Sequence, residues 1–503
     1  MEDGEDNGTF SLQYRAAPVM VGGGRVVDGS DGNHNHIEYG VSEYHQVDGD
    51  QGKNKGCEPS SMTPSSGIKG GQQQQVKTSK SAVASLIGLC IPDEGFRSRE
   101  RDFQMHVLES LSMETAHEEY FSFASKTYPA VVSSGHLDDG NIIGINPDVM
   151  RRLAIDYEGS KALQGIILSR GKVKPPRMTI TPSWRVHRAT EPLYDDDDAS
   201  YDLVIDRMFD ALSKDIVNLC LDMYGNYTVQ CLLMEASPSV ASQLGDVIVS
   251  NLLPFSLNFY GCRVVQCAMK HMSMEYRKKM CDVLEPFALH CLQSQNANHV
   301  IDALLRLPER DRPEHVIRIH TSICHYAPVL AKHKYGVTVL KTALESDIGT
   351  EASKEGTRSV LEALGELVYD EYGNYLVQNL IQGNLYGSRH AVHEFLLRYP
   401  LLPLACDKFG SNVFETLLLN STAEESDAVI LAFLEQCQAA GQTDEMVANI
   451  AMNRYGNYVV QRMLTVSSPR VCQTMSMHLA LHYAMLAGSK HGKHIAKKIL
   501  PTQ

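Results

Sequence analysis

One short segment recurs along the chain at a nearly fixed distance, and no other feature restricts the fold as much. Asp222-Met223-Tyr224-Gly225-Asn226-Tyr227-Thr228-Val229-Gln230 returns as Asp370-Glu371-Tyr372-Gly373-Asn374-Tyr375-Leu376-Val377-Gln378, and again as Asn453-Arg454-Tyr455-Gly456-Asn457-Tyr458-Val459-Val460-Gln461. Looser copies start at Asp156, Asn258, Ser294, His333, Asp407 and Ser489. The glycine-equivalent positions are 159, 225, 261, 297, 336, 373, 410, 456 and 492. They lie 36 to 39 residues apart, except for one step of 66 and one of 46. Such a period belongs to stacked helical units, each too small to bury its own apolar face. The longer steps cross a polar stretch at about 170–200, read as a surface insertion, and a loop at Gln436–Asp444.

The local chemistry asks for helices. Three residues ahead of each glycine position stands Asp156, Asp222, Asn258, Ser294, His333, Asp370, Asp407, Asn453 or Ser489. Eight of these nine are good N-cap types, able to bond the open amides of a first turn. Apolar residues then follow at helical spacing: Val229, Leu232 and Leu233 in one copy, Val377, Leu380 and Ile381 in another. A short apolar segment precedes each cap (Ile216–Leu219), and a second helical pattern follows (Val240–Leu252). Each unit therefore reads as about three helices in an all-α solenoid.

Composition narrows the function. Lys+Arg is 46 and Asp+Glu is 60, a net charge of −14. A chain this acidic meets nucleic acid only through a local surface. No apolar run approaches the roughly 20 residues of a membrane helix, and the acidic start carries no secretory signal. The 12 cysteines never fall as C-x-x-C, so they read as small core residues in a reducing compartment, with no metal site or cofactor. Residues 1–95, with Gly22-Gly23-Gly24 and Gln72–Gln75, have too few apolar residues to fold and read as a disordered low-complexity tail. Ser85–Leu89 is the one stretch within it with the character of a docking peptide. The run Asp195–Asp198 reads as solvated chain. No nucleotide-binding, metalloprotease or serine-hydrolase motif is present, and the chain reads as a non-enzyme.

The recurring segment also carries the chemistry. Asn226 and Gln230 are i and i+4 on one helix face, with Tyr227 beside them. The equivalent trios are Ser160, Lys161 and Gln164; Cys262, Arg263 and Gln266; Asn298, His299 and Asp302; Val337, Thr338 and Lys341; Asn374, Tyr375 and Gln378; Ser411, Asn412 and Glu415; and Asn457, Tyr458 and Gln461. Unpaired buried amides cost about 1–3 kcal/mol each. A repeated row of polar pairs is therefore expected to face a partner outside the fold. Two polar groups and a flat side chain suit one nucleobase, by edge bonds and stacking. Lys332, Lys334, Lys408, Arg454, Arg462, Lys490, Lys493, Lys497 and Lys498 lie near this row as a candidate positive strip.

At these trios the sequence resembles the Pumilio (PUF) RNA-binding family, over roughly residues 100–503. The resemblance implies a crescent of about eight three-helix repeats over 96–503, with an N-terminal cap at about 101–145 and a C-terminal cap at about 480–503. It implies single-stranded RNA on the concave face, one base per repeat, antiparallel to the chain. In that family Asn-Tyr-x-x-Gln reads uracil, Ser-Asn-x-x-Glu reads guanine and Cys-Arg-x-x-Gln reads adenine. Carried over, Asn457, Tyr458 and Gln461 read U; Ser411, Asn412 and Glu415 read G; Asn374, Tyr375 and Gln378 read U. Cys262, Arg263 and Gln266 imply A, and Asn226, Tyr227 and Gln230 imply U. Ser160, Lys161 and Gln164 resemble an A reader with Lys in place of Arg. Val337, Thr338 and Lys341, and Asn298, His299 and Asp302, depart from the pattern and are weaker candidates. The expected site is 5′-UGUNNAUA in mRNA 3′ untranslated regions, bound by a cytoplasmic monomer that recruits regulatory proteins. Two alternatives remain open: a nucleolar ribosome-assembly factor binding structured RNA with low base selectivity, and a protein-only helical scaffold.

Overall fold

Each repeat begins where a short helix stops. The helix Ile216–Leu221 ends at Asp222, whose backbone turns extended (φ −86°, ψ 145°). Its Oδ1 accepts from the amides of Tyr224 at 2.8 Å and Gly225 at 2.6 Å, which open the next helix and lack a carbonyl partner within it. Asn258, Asp370, Asp407 and Asn453 make the same two bonds. Ser294 Oγ makes them at 3.2 Å, and Asp156 and Ser489 reach the glycine amide. His333, the poor cap by residue type, offers ring Nδ1 instead, 3.1 Å from the amide of Gly336. The glycine supplies room for this turn: a Cβ on Gly261 would stand 2.7 Å from the carbonyl oxygen of Phe255, in the short helix behind it.

The computed structural model describes residues 94–127, 146–171, 196–235 and 237–499. All fall in one compact unit, Ile68–Gln503. Every regular element among the described residues is helical. The helices that follow the caps are α1 (Tyr157–Gly171), α2 (Gly225–Glu235), α3 (Gly261–His271), α4 (Asn298–Leu305), α5 (Gly336–Glu345), α6 (Gly373–Gly383), α7 (Gly410–Asn420), α8 (Gly456–Val466) and α9 (Lys493–Ile499). Each packs against the next in order, giving eight stacked repeats and a closing half-unit. Between them run an outer helix, such as Pro238–Ser250, and a short helix, such as Leu252–Leu257. Val229, Leu232, Leu233, Val377, Leu380 and Ile381 are all buried in one continuous core, as the helical spacing requires.

Three expectations change. The 46-residue step is not a loop at Gln436–Asp444: the outer helix runs Ala423–Ala439 and the following short helix Thr443–Met452. They have 17 and 10 residues where repeat 2 and its successor use 13 and 6, so the extra chain is wound up as about one further turn on each. The insertion at 170–200 ends earlier than expected, with the outer helix of repeat 1 starting at Asp196 inside the aspartate run. The helix Glu94–Thr127, expected as part of an end cap, packs along the side of repeats 2 to 4. Phe96 stacks on His290 at 3.9 Å, Phe103 meets Phe287, and Ser110 Oγ donates to the Pro254 carbonyl. The tail to residue 93, with its Ser85–Leu89 segment, and the middle of the insertion lie outside the described residues.

Burial makes the fold acid-sensitive. His290 is held at about 4 by loss of hydration and by nearby Arg99, and burial also lowers His320 and His333 below their ordinary 6.5. In the unfolded chain these rings protonate as the pH falls below 6.5; in the folded chain they do so only further down. Stability is therefore full above pH 6.5 and declines as the pH falls towards 4. His290 alone removes about 2 kcal/mol by pH 5. Urea unfolding at pH 7 and pH 5 measures the loss, and His290→Phe, which keeps the stack on Phe96, flattens it.

Candidate nucleic-acid interface

The cap turn fixes where each trio points. In repeats 2, 6 and 8 the first member is an asparagine at 2 %, 0 % and 2 % exposure: Asn226, Asn374 and Asn457. Asn226 Nδ2 donates to the carbonyls of Asp222 and Met223, and its Oδ1 accepts from Gln230 Nε2 at 2.9 Å. Asn374 and Asn457 repeat all three bonds. The expectation that both amides of each pair stand open is therefore corrected. The tight cap turn leaves carbonyls facing inwards, and the asparagine satisfies them. It acts as a brace that orients the glutamine.

The other first members are buried in the same way. Ser160, Cys262, Asn298 and Ser411 are buried, and Val337 is half-buried. Ser160 Oγ lies 2.9 Å from the Tyr224 carbonyl and accepts from Gln164 Nε2 at 3.0 Å. Burial pushes the Cys262 thiol up to about 11, so it stays protonated, and it points at the Phe259 carbonyl.

The second and third members are what the face presents. Tyr227, Tyr375 and Tyr458 are 46 %, 58 % and 58 % exposed, and Arg263, His299, Thr338 and Asn412 are exposed too. Partial burial and the charge of Arg263 lower His299 below its ordinary range. Lys161 is half-buried, with its ammonium 3.9 Å from the Tyr157 ring. The third members, Gln164, Gln230, Gln266, Asp302, Lys341, Gln378, Glu415 and Gln461, are all half-buried. Five glutamines turn Nε2 back to their own helix. That leaves the carbonyl end outward as an acceptor, with a second N–H beside it.

Two features of the face were not expected. The residue six places after the glycine reaches the third member of the preceding repeat: Thr416 Oγ1 donates to Gln378 Oε1 at 3.1 Å, and Arg462 Nη2 lies 3.5 Å from Glu415 Oε2. Their recurrence at one register position was the available signal. The residue two places before the glycine is a cation seated on the next aromatic ring in repeats 5, 7 and 8: Lys334 on Tyr335, Lys408 on Phe409 and Arg454 on Tyr455. These three are placed along one edge of the trio row. Lys332 instead pairs with Glu366, and Lys498 turns to Thr465.

These features define an all-helical repeat solenoid with one such trio per repeat, its second member aromatic in repeats 2, 4, 6 and 8. The repeats are those of the Pumilio family: the family model described as the Pumilio-family RNA binding repeat matches residues 215–249, 255–285, 365–383, 401–432 and 447–479, and the chain carries that family's RNA-binding fold. It is 32% identical to "Pumilio homology domain family member 4" of Saccharomyces cerevisiae over 190 residues, 37% of this chain and 20% of that protein. It is 27% identical to "Pumilio homolog 9" of Arabidopsis thaliana over 297 residues, 58% of this chain and 49% of that one. The chain thus spans half or less of these relatives' own length. Among solved structures, the Puf4 RNA binding domain bound to the HO endonuclease RNA 3′ UTR recognition sequence superposes with a TM-score of 0.56 at 25% identity, covering 69% of this chain and 98% of that one. No helix among the described residues is long and apolar enough to cross a membrane.

Proposed function

We propose that this chain binds single-stranded RNA with base selectivity, repeat 8 taking the 5′ base and repeat 1 the 3′ base of 5′-UGUNNAUA. One observation carries the reading. In seven of the eight repeats the second member is exposed and in all eight the third is half-buried, and in repeats 1, 2, 6 and 8 the first member turns inward and holds the glutamine of the third. A solvated face gains nothing from bracing these glutamines; an edge that must meet a base does. The Puf4 domain, which shares this fold, is bound to a 3′ UTR recognition sequence. By that likeness the targets are 3′ untranslated regions of mRNA; we propose further that the chain acts in the cytoplasm by bringing regulatory proteins to them. Against a low-selectivity assembly factor stand the regular trios of repeats 6, 7 and 8. Selection from randomised RNA tests the reading: the enriched sequence is expected to begin 5′-UGU, and an enriched motif without UGU overturns this register. Nucleotide-resolution crosslinking in cells then identifies the RNA class, with pre-ribosomal crosslinks favouring the assembly-factor alternative.

A further inference from the structure

Repeat 4 carries a closed ring of side chains where the other repeats carry an open one. Asp302 Oδ2 accepts from Arg306 Nε at 2.8 Å, one turn further along the same chain. Its Oδ1 accepts from Thr342 Oγ1 at 2.6 Å, across the step to repeat 5. Arg306 Nη2 donates to Thr342 Oγ1 at 2.7 Å and completes the ring. Thr342 holds the same sixth place as Thr416 and Arg462, so its reach back recurs at three steps of the stack. Arg306 is particular to this repeat: the equivalent residues elsewhere are Leu168, Met234, Lys270, Glu345, Gln382, Leu419 and Thr465.

An open carboxylate in the third position would accept from the N1–H and N2–H groups of guanine. Asp302 is not open. Both of its oxygens are engaged, one by a guanidinium, and its side chain is only 16% exposed. The Arg306–Asp302 bond joins opposite charges, whereas guanine's N–H groups bring no charge of their own, so guanine's neutral donors do not displace Arg306. We propose that repeat 4 is a shut reader: Arg306 and Thr342 hold Asp302 away from the fifth base, and these two residues leave that base unselected. The inference rests on the RNA reading above.

The test uses four RNAs that differ only at the fifth base of 5′-UGUNNAUA. The unmodified chain is expected to bind all four within about threefold. Arg306→Ala with Thr342→Val frees the carboxylate, and guanine is then expected to gain about tenfold over the other bases, the lower end of what one bidentate edge contact discriminates. Arg306→Ala alone, a half-exposed site that leaves the packing of Thr342 intact, is expected to move in the same direction by a smaller factor. Guanine preference in the unmodified chain, or flat binding in both variants, overturns the shut reader. Failure of the unmodified chain to bind any UGU RNA overturns the RNA reading itself and is a separate result.

Discussion

Exchanging two residues of repeat 7, Ser411→Asn and Glu415→Gln, is expected to move the preferred second base from guanine to uracil. Glu415 offers two acceptor oxygens and no donor, with only Oε2 near a cation, Arg462 at 3.5 Å, and this matches the two adjacent donors of guanine and opposes the O4 acceptor of uracil. A glutamine there supplies one acceptor and one donor. The asparagine is needed to set it. In repeats 2, 6 and 8 the buried Asn bonds the cap carbonyls and takes the glutamine Nε2 on its Oδ1. Ser411 sits in the equivalent buried place, with the Lys408 carbonyl 3.5 Å from its Oγ. Asparagine at 411 therefore finds the partners that Asn374 and Asn457 already have. Each matched edge contributes about 1–3 kcal/mol of discrimination, so the ratio of affinities for 5′-UGU and 5′-UUU RNAs is expected to fall by about thirtyfold or more. Fluorescence anisotropy with the two RNAs reads it directly. An unchanged ratio overturns the assignment of repeat 7 to the second base.

The period was legible because it is written in residues with a fixed backbone task. The caps, the glycines and the apolar spacing each announce themselves by type, so the helices and their order follow from sequence alone. The direction of the trio was not legible. An asparagine in a helix reads as a solvent-facing amide unless the carbonyls it must satisfy are known, and these belong to a turn whose shape only the fold reveals. Cross-repeat contacts were hidden for a similar reason. Thr342 and Asp302 are 40 residues apart in the chain and 2.6 Å apart in space. Periodicity gives the stacking order of repeats but not which side chains bridge two neighbours. Arg306 stands at no position that the repeat marks by type, and only the fold places it against Asp302. The extra turns at Ala423–Ala439 and Thr443–Met452 show the converse error: a length excess was read as a loop although both flanking helices run into it and Cys437 within it is buried.

Replacing Tyr227, Tyr375 and Tyr458 together by alanine is expected to remove RNA binding while leaving the fold as stable as before. The rings are about half-exposed. Truncating surface side chains usually changes stability by no more than about 0.5 kcal/mol each. A base stacked on an aromatic ring, by contrast, is worth about 1–3 kcal/mol. Three such losses lower affinity for 5′-UGUNNAUA RNA by at least about a hundredfold, even at the lowest value. Asn457→Ala should behave in the opposite way. It leaves the carbonyls of Asn453 and Arg454 without the side-chain donor they now have, in a half-buried turn, at about 1 kcal/mol of folding stability. It also loosens Gln461, so the uracil preference at the first base weakens as well. Thermal unfolding and RNA titration on the two variants separate the roles: tyrosines that act outward and an asparagine that acts inward. If the triple variant kept its RNA affinity, or lost stability in step with it, the rings would be packing between repeats and the trio row would not be the RNA-binding face.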